Sequence, residues 1–148
     1  MPLRTPFRLT LLEVATALVA AGVIVAIAVP VFHSHLLHRH RADAVTGLER
    51  IQRAEEQFYL HHGRYAVSLS KPPPAGLGLA AISSGGRYAL SLEVNDPARP
   101  SAFTAQAAGV VSDRVPADVL CVRFSLDQNG LRDARDVTGA DRTEDCWR

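Results

Sequence analysis

The chain has 148 residues, 47% of them apolar and 21% charged, a size that suits one domain rather than two. Lys and Arg total 16 against 15 Asp and Glu, and a net charge of +1 excludes the large single-sign field of a protein that coats nucleic acid or an anionic membrane. The apolar residues crowd before residue 33.

From Val14 to Phe32, nineteen residues carry no charge. As a helix rising 1.5 Å per residue they reach about 28 Å, close to the thickness of a bilayer core. Arg4 and Arg8 precede the run, so the positive-inside tendency holds the extreme N-terminus in the cytoplasm and sends the rest of the chain outward. Three readings fit: a cleaved secretory signal, an uncleaved anchor, or a more specialised element. The apolar core of a signal peptide runs to about 7–15 residues, and this one is longer. Glu13 stands at its cytoplasmic edge, where a carboxylate either stays solvated in the headgroup layer or needs a partner. Within the run, Pro30 removes one backbone hydrogen bond and Gly22 costs a helix about 1 kcal/mol relative to Ala, which predicts a kink or a loosened turn.

Beyond Pro30 the helical pattern resumes. Leu37, Ala44, Leu48, Ile51, Glu55 and Phe58 form one stripe, while Arg39, Asp43, Glu49, Arg53 and Glu56 take the opposite side. The pattern predicts an amphipathic helix whose stripe covers a sheet. Gly63 is a stop signal, and the prolines of Ser70–Gly78 make a surface loop joining helix to sheet. Three segments alternate with period two: Tyr88–Val94, Phe103–Ala107 and Leu120–Leu126. Asn95-Asp96-Pro97 and Asp127-Gln128-Asn129-Gly130 supply turns, so an antiparallel meander follows, with a short fourth strand from Leu131. The predicted class is α+β, a long N-terminal helix packed on an antiparallel sheet of three to four strands. Two cysteines in an exported chain imply a disulfide between Cys121, on the third strand, and Cys146, closing a polar tail from Asp133 to Asp145.

Little else carries chemistry. His33, His35, His38 and His40, with His61 and His62, lack the spacing of a metal site and read as a solvated juxtamembrane face. Asp127, Asn129, Asp133 and Asp136 lack the alternation and terminal bidentate Glu of a calcium loop. There is no phosphate loop, nucleophile elbow or zinc-protease motif, so no catalytic residue, metal or cofactor is expected. Arg87, Arg99, Arg114, Arg123, Arg132 and Arg135 offer DNA a modest basic surface at most.

Leu9-Thr10-Leu11-Leu12-Glu13 resembles the start of type IV pilins and type II secretion pseudopilins, in which Gly precedes a cut and Phe-Thr-Leu-Ile-Glu follows it. With Leu9 as the first mature residue, Glu13 is fifth, Gly22 fourteenth and Pro30 twenty-second, the places where that family has Glu, Gly and Pro. Arg8 stands where the family has a small residue, and Leu9 where it has Phe. Glu56-Gln57-Phe58-Tyr59-Leu60, Gly63-Arg64-Tyr65-Ala66 and the pair Cys121 with Cys146-Trp147 extend the likeness, which is greatest to minor pilins of Gram-negative type IVa pili.

The resemblance implies a leader of residues 1–8, cut between Arg8 and Leu9 by a prepilin peptidase that also methylates the new amine. It implies a hydrophobic membrane and filament-core helix over 9–33, and a periplasmic head over 34–148 ending in a disulfide-bounded region. Glu13 would pair with the Leu9 amine of a neighbouring subunit and set the register, while Gly22 and Pro30 would let the helix loosen on assembly. The implied function is that of a minor pilin helping type IV pilus assembly or initiation, and through it twitching motility, adhesion or DNA uptake. Its partners would be other pilins, the peptidase and the inner-membrane assembly machinery, with DNA a weaker prospect. The subunit would sit in the bacterial inner membrane before assembly and in the extracellular pilus after it. A type II secretion pseudopilin and an anchored periplasmic binding domain that never polymerises are the alternatives, the second favoured by Arg8.

Overall fold

The computed structural model describes residues 10–110 and 118–148, and of residues 30, 31 and 33–36 the backbone alone. Helix α1 (Leu11–His62) is followed by β1 (Tyr88–Val94), β2 (Phe103–Gly109), β3 (Arg123–Asp127), β4 (Arg132–Arg135) and a short α2 (Thr143–Cys146). The chain forms two compact units, Met1–Leu36 and Leu37–Arg148. In the first, the α-helical backbone runs through Gly22 and Pro30 without a break. Arg8 and Leu9 lie outside the described residues.

In the second unit the later part of α1 lays its predicted stripe on the sheet. Ala44, Leu48 and Ile51 share one core with Leu90, Phe103, Ala105, Ala107, Phe124, Leu126 and Ala134, and Glu55 and Phe58 continue the buried stripe. Gly47 belongs to the same face. A Cβ there would lie 3.1 Å from the Leu90 methyl carbons, so the missing side chain is what lets helix and β1 approach. Three polar residues predicted on the solvent side take on further contacts or burial. His40 is buried, whereas His38, His61 and His62 are exposed. Asp43 accepts hydrogen bonds from the Ser83 hydroxyl (2.5 Å) and the Gly85 N–H (2.9 Å), tying the loop before β1 to the helix. Glu49 reaches Arg132 of β4 at 3.9 Å. Helical periodicity cannot foresee the Asp43 and Glu49 contacts, because their partners arrive from elsewhere in the sequence.

The helix stops where Gly63 takes φ +66°, a left-handed conformation that glycine adopts without a Cβ clash. Its N–H closes the last turn on the Tyr59 carbonyl at 2.8 Å. The loop that follows folds back on itself, the N–H groups of Leu77, Gly78 and Leu79 bonding to the carbonyls of Ser68, Lys71 and Leu69.

The sheet is a four-stranded antiparallel meander in the order β1-β2-β3-β4. Its third strand begins later than alternation predicts. Cys121 and Phe124 both point inward, an odd spacing that a regular pleat forbids. The chain resolves the conflict with a turn at Val119–Leu120, leaving Leu120 exposed and Cys121 ahead of the strand. Val122 still extends the ladder, accepting from Gly109 N–H and donating to Arg135 C=O. Both outer edges are partly covered by adjacent chain. Ile82 pairs with Ala89, and Leu90 N–H bonds to Ala81 C=O, along the first half of β1. Arg135 pairs with Asp141, and Arg142 N–H bonds to Ala134 C=O, along β4.

Candidate functional site

Two regions gather the residues that sequence singled out. The first is the start of α1. Thr10 Oγ1 accepts the Glu13 N–H (3.3 Å) while a Glu13 carboxylate oxygen accepts both the Thr10 N–H (2.8 Å) and its hydroxyl (3.0 Å). This reciprocal arrangement is a capping box, which satisfies backbone donors that a helix start leaves open. Thr10 was missed as a participant, although Thr-x-x-Glu is its sequence signature. The Leu11–Val29 segment that follows is long and apolar enough to cross a membrane, and none of it is buried.

The second region is the C-terminal tail, held to the head by four devices. Cys121 and Cys146 form the expected disulfide, and both are buried. Trp147 lies edge-on to Phe124 (5.9 Å between ring centres), donates from Nε1 to the Asp133 carbonyl (3.1 Å), and carries the Arg132 guanidinium over its ring (5.0 Å). Tyr88 donates from its hydroxyl to the Cys121 carbonyl at 3.4 Å, and burial pushes this phenol up to about 12, so it stays a donor.

The fourth device was not anticipated. Arg41 of α1 grips Asp118 through Nε (2.6 Å) and Nη2 (3.3 Å), and donates a third bond to the Asp145 carbonyl (3.2 Å). Asp118 also receives the N–H groups of Leu120 and Cys121. One guanidinium thus fixes both ends of the disulfide-closed segment to the helix. The side chains are only 11% and 5% exposed, and truncating one member of a buried pair costs about 3–5 kcal/mol. Arg41→Ala should fall at the low end, about 3 kcal/mol, because Asp118 keeps its two backbone donors. Urea denaturation of full-length protein in detergent measures this, and a loss well under 1 kcal/mol would show the pair to be dispensable.

Within the tail, Asp136 accepts from the Thr138 hydroxyl and N–H, the Ala140 N–H and Arg142. These donors, the Thr138 hydroxyl foremost, hold its carboxyl down at about 2. Asp127 spends its side-chain oxygen on the Asn129 and Leu131 N–H groups, and the turn closes at Gly130 with φ +79°. The acidic residues of this stretch are therefore occupied in shaping loops.

The arginines are dispersed, and several are neutralised: Arg132 faces Glu49, Arg135 faces Asp133, and Arg142 faces Asp136 and Asp145. One grouping stands out on the sheet face away from the core. The register sets Ala89, Ala108, Arg123 and Arg135 in one cross-strand row, with all four exposed. Two cations side by side are unfavourable in a cross-strand pair. Asp133 offsets Arg135, while Arg123 makes no ion pair among the described residues. Arg114 falls outside the described residues.

An uncovered apolar helix, continued by the spine of a four-stranded antiparallel head with a cysteine-closed tail, defines a pilin-like subunit. A family model described as "Type IV minor pilin ComP, DNA uptake sequence receptor" matches residues 30–125. The chain belongs to that type IV minor pilin family. Among solved structures it is similar to "High-Resolution Structure of a Type IV Pilin from Shewanella oneidensis", at 23% identity and a TM-score of 0.46, over 65% of this chain and 89% of that one. No curated protein matches the chain.

Proposed function

We propose that this minor pilin is the DNA-contacting subunit of a type IV pilus that takes up DNA. The observation that carries the reading is the family match over residues 30–125, whose description names a DNA uptake sequence receptor. The Arg123 and Arg135 row supports it, because phosphate contacts supply much of the affinity for duplex DNA and need exposed cations on a surface free of bulky neighbours. Ala89 and Ala108 provide such a surface beside them.

The subunit waits in the inner membrane with Leu11–Val29 in lipid, is cut between Arg8 and Leu9 by the prepilin peptidase, and passes through the inner-membrane assembly machinery into the filament. There the apolar helix packs against those of other pilins, Gly22 and Pro30 give it slack, and the head faces outward.

Fluorescence anisotropy of a labelled duplex with full-length protein in detergent tests the reading. Binding should weaken as salt rises, with a log–log slope of about −0.9 for each phosphate neutralised. Arg123→Gln should weaken binding to all sequences alike and reduce the slope by about 1. Absence of duplex binding at about 50 mM salt, or an unchanged slope in Arg123→Gln with Arg135→Gln, would contradict it.

A further inference from the structure

The buried stripe of α1 contains one carboxyl that the assembly chemistry does not use. Glu55 is completely buried between Ile51 and Phe58 on its helix face. One oxygen, Oε2, accepts the Ala66 N–H at 2.9 Å. The other, Oε1, is buried and has no hydrogen-bond partner among the described residues. No described Lys, Arg or His forms an ion pair with it. Tyr65 from the following loop is near enough to feel its charge, as it feels those of Tyr59 and Glu56 from α1, and none of these groups is a cation. Arg64 sits over the Phe58 ring, and His62 stacks on that ring and hydrogen-bonds the Phe58 carbonyl.

We propose that Glu55 is a proton-operated latch for the segment that leaves the long helix: with a proton on Oε1 it holds Tyr65–Leu69 against α1, and on losing that proton to solvent it lets the segment go. The neutral acid fits the site, since Oε2 can receive the Ala66 N–H while Oε1 carries the hydrogen. An anion would lie in an apolar enclosure with a single backbone donor and no counter-charge, which is unfavourable enough to open the enclosure instead. The segment has much to release. Ala66 and Leu69 are buried, and Tyr65 N–H bonds to Pro100 C=O at 3.2 Å, so its loss reaches the β1–β2 turn.

Burial accordingly pushes the Glu55 carboxyl up to about 7, against the smaller opposing effect of the Ala66 bond. The folded value lies above the ordinary one. The latch therefore stabilises fully below the ordinary carboxyl range and is lost as pH rises through about 7.

Amide hydrogen exchange of full-length protein in detergent micelles, corrected for the intrinsic pH dependence of exchange, reads the latch at Ala66. Protection should fall by up to about tenfold per pH unit between roughly 5 and 7. Glu55→Gln, which cannot ionise, should flatten that profile. Carboxyl carbon shifts of wild-type protein report the titration without any substitution. A Glu55 midpoint near 7 is expected, and a midpoint below about 5 overturns the latch. Superimposable Ala66 profiles for wild type and Glu55→Gln would overturn it equally.

Discussion

Protein carrying Glu13→Gln should enter the inner membrane at wild-type levels and be absent from pili sheared off the cell surface. This is the largest effect expected of any single substitution, and the capping box at the helix start is what makes it interpretable. Glu13 has a local role with Thr10, and the resemblance to pilins implies a second one, in which it would be the anion that pairs with a neighbour's amine at Leu9. Removing the whole side chain confounds the two, because it also uncaps the helix. Gln keeps an amide oxygen to receive the Thr10 N–H and hydroxyl that Glu13 now holds at 2.8 and 3.0 Å, so the helix start survives and only the charge is lost. In the low-dielectric interior of a helix bundle, a lone terminal amine is strongly disfavoured, and slipped axial positions then compete with the correct one. Insertion depends on the apolar run, which is untouched. Immunoblots of membrane and sheared fractions decide the matter. Wild-type amounts of Glu13→Gln in fibres would confine Glu13 to capping.

The second large effect concerns the tail. Replacing Cys121 and Cys146 together by Ala should lower the stability of the full-length protein by about 3–4 kcal/mol, since the bridge spans a sequence separation of 25 and restricts the unfolded chain accordingly. Urea midpoints of the variant and the oxidised wild type give the difference. A shift under about 1 kcal/mol would mean that Arg41, Trp147 and Tyr88 hold the segment without covalent help. Kinetics supply a further check. With both cysteines buried, at 1% and 0% exposure, a reductant should reach the bridge only through opening of the head. Reduction of native protein should therefore be slow and should accelerate in urea.

How far sequence alone reaches is visible in particular residues. The stripe Ala44–Leu48–Ile51, the Gly63 stop and the alternation of β1 were legible because each follows a local period or a single backbone conformation. The cysteine pair was legible because two cysteines admit one bridge. The late start of β3 was not, since strict alternation over Leu120–Leu126 hides the odd inward spacing of Cys121 and Phe124, which shows only once the core is assembled. Arg41 and Asp118 were invisible for a different reason. They are 77 positions apart, and nothing near either residue marks it as half of a buried pair. Glu55 was placed correctly on the buried stripe, yet its meaning comes from Ala66, whose N–H is delivered by a chain reversal at Gly63. Thr10 and Glu13 are legible as a cap from the Thr-x-x-Glu spacing alone.

The covered margins of the sheet bear on what kind of polymer such a subunit can make. Strand margins left bare invite pairing with another chain, the first step toward cross-β aggregates that do not come apart. Here Ala81–Ile82 shields the opening half of one margin and Ala140–Arg142 the other. Heads crowded together in a fibre would thus gain little from zipping strand to strand along those stretches, and cohesion would fall to their greasy stems. A fibre joined in that way would come apart between subunits without any strand of a head having to unpair.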